Sequence, residues 1–156
     1  MTADPAPSPK LPPRWFVRAA WLLHRAAYRI TGGRRGLWPP RPGMWGALRL
    51  RTTGRRSGRE RLAILGYKLD GPNMVTLAMN GWFEGEPAWW LNLQAQPEAR
   101  VDTSTGSMAV RGHRAVGSER DRLWALFPGA DRFAVRRSGE TAVVVLEPIG
   151  EDRSGT

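Results

Sequence analysis

Three clusters of residues along this chain carry side chains able to act on a ligand. The first is Thr52-Thr53-Gly54-Arg55-Arg56-Ser57-Gly58-Arg59-Glu60-Arg61. Its two glycines permit a sharp backbone turn, and its four arginines present forked donors matched to phosphate and carboxylate oxygens. Amides and guanidinium groups gathered this way form a nest for a phosphodiester or a run of carboxylates. No Gly-Lys-Ser/Thr ending follows at the spacing of a Walker loop. The plainer reading of the same residues is a solvated basic hairpin. The second cluster, Ala78-Met79-Asn80-Gly81-Trp82-Phe83, offers an amide, a glycine and two aromatics at a strand end. It suits hydrogen bonding to the carbonyls of a heterocycle, or simply covers a core edge. The third is Glu86-Pro87-Ala88-Trp89-Trp90-Leu91-Asn92-Leu93. On a helix the adjacent tryptophans diverge by about 100°, so one suffices for the core, while Asn92 projects beside Trp89. A planar ring against Trp89 and ordinary packing both fit.

Other chemistries lack their residues. The chain has no cysteine, which removes disulfides, thiolate nucleophiles and zinc-thiolate sites and fits a reducing cytoplasm. Its two histidines, His24 and His113, stand far apart without a spaced carboxylate, so neither a metal centre nor a Ser-His-Asp triad is expected.

The elements that must position these clusters follow from periodicity. Residues 1–13 hold five prolines and read as a disordered tail without the features of a secretory signal. Residues 14–30 read as an amphipathic helix, ended by Thr31-Gly32-Gly33, with Arg14, Arg18, Arg25 and Arg29 on one stripe and Trp21 and Tyr28 beside it. It either packs on the domain or lies on an anionic membrane surface. Strands are expected at 44–53, 61–70, 74–79, 99–103, 107–116 and 141–148. A short helix begins with Pro87 as its first residue and stops before Pro97. A second runs from a Ser118–Asp121 capping box through Phe127. The expected fold is mainly β with inserted helices: an antiparallel barrel over 44–148, closed to avoid exposed edges, between a helical 14–33 and a tail at 149–156.

Charge is asymmetric. The net charge is +10, yet Lys10 to Arg61 holds fourteen basic residues and a single acid, Glu60. The positive field therefore belongs to the first third and suits an anionic coenzyme, a lipid surface or nucleic acid. Nucleic acid is disfavoured, because no recognised binding module accompanies the charge.

Taken together, TTGRRSGRER, LGY, AMNGW and EPAWWLNLQAQP resemble, in order and spacing, the deazaflavin-dependent nitroreductase family of actinobacteria, over roughly residues 14–148. The resemblance implies a split β-barrel of the FMN-binding type, which here would hold coenzyme F420, a 5-deazaflavin with a phosphodiester and an oligoglutamate tail. It implies that Arg55, Arg56, Ser57, Gly58 and Arg61 hold the phosphate and acidic tail. Gly66 and Tyr67 would line the ring site, Met79, Asn80 and Gly81 would meet the deazaflavin, and Trp89 and Asn92 would buttress it. The chain departs from the family pattern at Met79-Asn80-Gly81, where Ser-Lys-Gly is usual, and at Gly66, where tyrosine is usual. The lost hydroxyls bear on nitroreduction more than on coenzyme binding.

The function expected is hydride transfer from reduced F420 to a quinone, enone or nitroaromatic, with Asn80 and Tyr67 as candidate donors to the acceptor's developing oxyanion. A non-catalytic module holding F420 or a lipid-like ligand is the alternative. FMN is a weaker fit, since its shorter tail would leave arginines idle. No metal is expected, peripheral membrane contact through residues 14–30 is open, and so is a homodimer.

Overall fold

The structure, a computed structural model, describes residues 13–15, 17–20, 36–81 and 83–150. Six strands, β1 (Gly46–Thr53), β2 (Glu60–Asp70), β3 (Asn73–Leu77), β4 (Glu98–Thr103), β5 (Gly106–Arg114) and β6 (Val143–Pro148), form its framework. They close an antiparallel barrel in the order β1-β2-β3-β6-β5-β4. Closure leaves no unpaired edge, as the run of short strands with turn residues between them anticipates.

Alternation along β1 sends Leu48 and Leu50 inward, where they meet Val101, Val110, Val144 and Leu146. Arg49 and Arg51 take the alternate positions and bind Asp102 of β4, which also accepts from Ser107 Oγ at 2.8 Å. Strand β6 is different. Its residues Val143 to Leu146 are all buried, because Val144 and Leu146 face the barrel interior while Val143 and Val145 pack outward on Leu123 and Phe127. A strand covered on both faces reads as a continuous apolar run, and TAVVVL does so.

Three helices follow: α1 (Ala88–Ala95), α2 (Gly117–Trp124) and α3 (Ala130–Ala134). Helix α1 delivers Trp89, Trp90 and Leu93 to the barrel core. Both tryptophans are buried, correcting the expectation that one would suffice, since a helix seated between strands buries more than one face. Pro87 is the N-cap, with extended backbone (φ −66°, ψ 143°), and not the first helical residue.

The Ser118–Asp121 capping box does not form. Helix α2 starts at Gly117 behind Val116, with no side-chain cap, because Ala115 still bonds to Val143 of the sheet and the chain turns directly into the helix. Helix α3 is unanticipated. Its five residues are too few to show periodicity, and its N-cap is Gly129, whose φ of 87° turns the chain just before the helix. Residues 14, 15 and 17–20 are helical, as the reading of 14–30 anticipates, while the remainder of that reading, Trp82 and both tails beyond residues 13 and 150 lie outside the described residues.

Candidate functional site

The β1–β2 hairpin loop is built by its glycines. Gly54 donates to the Arg59 carbonyl at 2.7 Å and accepts from the Gly58 amide at 2.8 Å, while Gly58 turns the chain at φ 67°. A Cβ at residue 54 would sit 2.8 Å from Ser57 Oγ and 3.1 Å from the Arg59 carbonyl, so a side chain there would turn Ser57 aside and press on the loop backbone. The Ser57 hydroxyl stays within the loop, accepting from the Arg59 amide at 3.2 Å and from Arg61 Nη2 at 3.5 Å. Arg56 is exposed and makes no hydrogen bond or ion pair among the described residues.

Asn92 fastens this loop to α1. Its Oδ1 accepts from the Arg55 amide at 3.1 Å and from Arg55 Nη1 at 3.0 Å, and its Nδ2 donates to Thr52 Oγ1 at 3.4 Å. Asn92 is buried, so the amide is spent on holding the arginine loop. It is the link between the first and third sequence clusters.

A cleft of about 1330 Å³ runs along this junction. Arg55, Arg56, Ser57 and Arg61 line its cationic part, and Met79, Gly81, Phe83 and Trp89 line an apolar part. Residues 62–66 of β2 lie between them as a floor. The volume exceeds the roughly 300–1000 Å³ of ordinary small-molecule sites and suits a ring joined to a long tail. Gly66 belongs to the floor. A Cβ there would meet the Trp45 ring at 2.5 Å, so the indole occupies the place a side chain would need.

Asn80 lines the cleft, is exposed, and its side-chain amide has no hydrogen-bond partner among the described residues. Its carbonyl accepts from the Phe83 amide at 3.1 Å, and Gly81 turns at φ 59°, so the loop is a tight reversal. Thr76, the hydroxyl nearest in sequence, is committed to the Gly66 carbonyl at 2.8 Å.

Two candidate residues fall elsewhere. Tyr67 alternates with Gly66 on β2, so its ring enters the barrel core and is not among the cleft-lining residues. Burial there pushes its phenol pKa up. Gly58 lines a smaller hollow on the β4 side of the loop, beside Arg51, Glu98 and Arg100.

Sequence reasoning missed two contributors. Arg14, Val17 and Arg18 line the cleft, and the Arg14 guanidinium lies 4.8 Å from the centre of the Phe83 ring, in cation–π range. The helical periodicity marked these residues without showing where the helix docks. Arg137 grips the Asn80 loop from behind, and no periodic signal marks it. Among the described residues no group of three or more His, Asp or Glu could hold a metal ion, and no helix is long and apolar enough to cross a membrane.

Comparison with known proteins is consistent with this geometry. Residues 21–148 match the model of a family described as F420H(2)-dependent quinone reductase. An F420H(2)-dependent quinone reductase of Mycobacterium tuberculosis is 31% identical over 144 residues, covering 85% of this chain and 95% of the relative. Among solved structures, an F420-H2 dependent reductase superposes with a TM-score of 0.59 at 22% identity, over 65% of this chain and 93% of the other. A chain described as a domain-swapped dimer superposes at 0.62 with 20% identity, over 83% and 99%. At these identities the two structures speak to the fold alone.

Proposed function

Because the chain belongs to the F420H(2)-dependent quinone reductase family, an oxidoreductase family that uses coenzyme F420, we propose that its cleft binds reduced F420 beside a quinone and that Asn80 hydrogen-bonds the acceptor oxygen. The observation that carries this reading is one cleft with an arginine nest at one part and an unpaired amide donor among apolar side chains at the other.

The donor set fits the coenzyme. Arg55, Arg56 and Arg61, with the Gly54 cradle behind them, suit a phosphodiester and a chain of carboxylates. Trp89 and Met79 suit an apolar ring, and Gly81 leaves backbone open toward its carbonyls. When bound, reduced F420 supplies the hydride. Quinone reduction to quinol takes that hydride and one proton. Trp89 and Phe83 exclude water from the reacting faces, and the Asn80 amide donates to the oxygen on which charge develops. That proton would be released from the reduced coenzyme as the hydride leaves, so the reaction balances without an acid from the chain. Tyr67, buried in the core, takes no part in this reading.

Stopped-flow oxidation of reduced F420 by a menaquinone analogue tests it. Asn80→Ala should cost about 10²-fold in turnover, the scale of removing one oxyanion donor, while leaving F420 affinity little changed. Wild-type turnover absent with quinones, enones and nitroaromatics alike, together with intact F420 binding, would establish the binding-only alternative.

For residues 14–30 the two readings are packing on the domain and contact with an anionic membrane surface. That Arg14 and Arg18 face the cleft favours packing of this segment on the domain. Co-sedimentation of the full chain with anionic but not zwitterionic vesicles is the outcome that supports membrane contact.

A further inference from the structure

Arg137 is among the most deeply buried charges of the described residues, with 3% of its side chain exposed. Taking a guanidinium out of water is costly unless its donors are met. Here both terminal nitrogens are met, chiefly by carbonyls at the two ends of one loop. Nη1 donates to the Ala78 carbonyl at 3.0 Å and to Thr141 Oγ1 at 2.9 Å, and Nη2 donates to the Gly85 carbonyl at 2.9 Å. The Glu86 carboxylate stands 3.8 Å away, and Nε finds no acceptor. The next residue repeats the grip: the Ser138 amide and hydroxyl donate to the two oxygens of Glu84 at 2.8 and 3.0 Å. Residues 78, 84 and 85 are thus held by one dipeptide, and Met79 to Phe83 lie between the held points.

We propose that the Arg137-Ser138 turn is a positioning clamp that fixes the Asn80 loop for the hydride acceptor. The inference rests on the reading of that loop as the acceptor site. A planar fork reaches both carbonyls at once, whereas a lysine ammonium at this position is a single point charge on a flexible stem. The arginine loop at 54–61 is fastened separately, through Asn92, so the clamp acts on the acceptor part of the cleft and not on the coenzyme tail.

Arg137→Lys and the surface variant Glu84→Ala, which removes both acceptors of Ser138, each made in the full chain, test this with three readouts. Hydrogen exchange of amides 79–86 in the ligand-free protein should accelerate about tenfold or more, with strand amides unchanged. The Kd for F420 should stay within about twofold, because tail contacts dominate it. For a menaquinone analogue kcat/KM should fall by up to about 10²-fold in Arg137→Lys, the cost of roughly 1 Å of misplacement, and less in Glu84→Ala. Wild-type exchange over 79–86 in both variants overturns the clamp. So does F420 affinity falling in step with turnover. Should Arg137→Lys not fold, Glu84→Ala decides alone, and a wild type inactive toward quinones leaves the exchange readout to decide, separating failure of the clamp from failure of the assigned reaction.

Discussion

Asn92 has more consequence than its place beside two tryptophans suggests. It is buried, and its single carbonyl oxygen takes both the Arg55 amide and the Arg55 guanidinium. Replacing it with leucine keeps the volume but leaves the Arg55 amide without its acceptor and frees the guanidinium. A hydrogen bond to a charged group contributes about 1.5–3 kcal/mol, so F420 affinity should fall about tenfold or more in Asn92→Leu. FMN affinity should fall less, because its tail engages fewer of the loop's donors. Calorimetric titration with each oxidised cofactor measures the difference, and equal losses would remove Arg55 from tail recognition. Sequence spacing places Asn92 next to Trp89 and assigns both to the ring. What spacing on one helix does not contain is the strand pair on the far side, where Thr52 and Arg55 wait for the amide. Tyr67 shows the same limit. Its neighbour Gly66 reaches the cleft floor, and strict alternation then commits the phenol to the core, but which of the two faces inward depends on register with β1.

At the scale of elements, the strands were legible because several carry a period of two or, in β3 and β6, a run buried on both faces. Positions tied to other parts of the chain were not. The Ser118–Asp121 pattern is a sound local signal, overridden where Ala115 remains bonded into the sheet up to the helix start. The β1–β4 seam is likewise non-local, since Arg49 and Arg51 find Asp102 only when the barrel closes. Burial pushes the Asp102 carboxyl pKa up, but hydrogen bonds from Ser107, Arg51 and Arg49 outweigh it and hold the pKa below the ordinary value. A depressed folded-state pKa means that this carboxylate stabilises the fold above its unfolded value near 3.9 and loses that contribution as pH falls through the folded one. Thermal melts of wild type and Asp102→Asn should therefore differ at pH 7, by about 1.5–3 kcal/mol for hydrogen bonds to a charged group. The difference should shrink below about pH 4. A gap that persists undiminished into strong acid would show that packing, not charge, holds the seam.

Over the whole molecule the net charge is +10, and six arginines line the cleft. Arg14, Arg18, Arg49, Arg55, Arg56 and Arg61 line it against one described carboxylate, Glu60, Arg49 being paired with Asp102. A field of one sign over a concave site raises the encounter rate of an oppositely charged ligand, and salt screens it. Between 0.01 and 0.15 M ionic strength the Debye length shrinks from about 30 to about 8 Å, so more distant arginines cease to act while those in contact still do. The association rate of F420 should accordingly drop about tenfold over that range, with its dissociation rate changing much less. FMN, carrying less charge, should show a shallower slope, and a neutral quinone almost none. This ordering separates a cleft built for an anionic coenzyme from a generally basic surface. A surface of that kind would attract double-stranded DNA with a steep salt dependence of its own and show no preference for the longer-tailed cofactor. Stopped-flow association of the three ligands at four ionic strengths distinguishes the cases, and identical slopes for F420 and FMN would assign the charge to the surface at large.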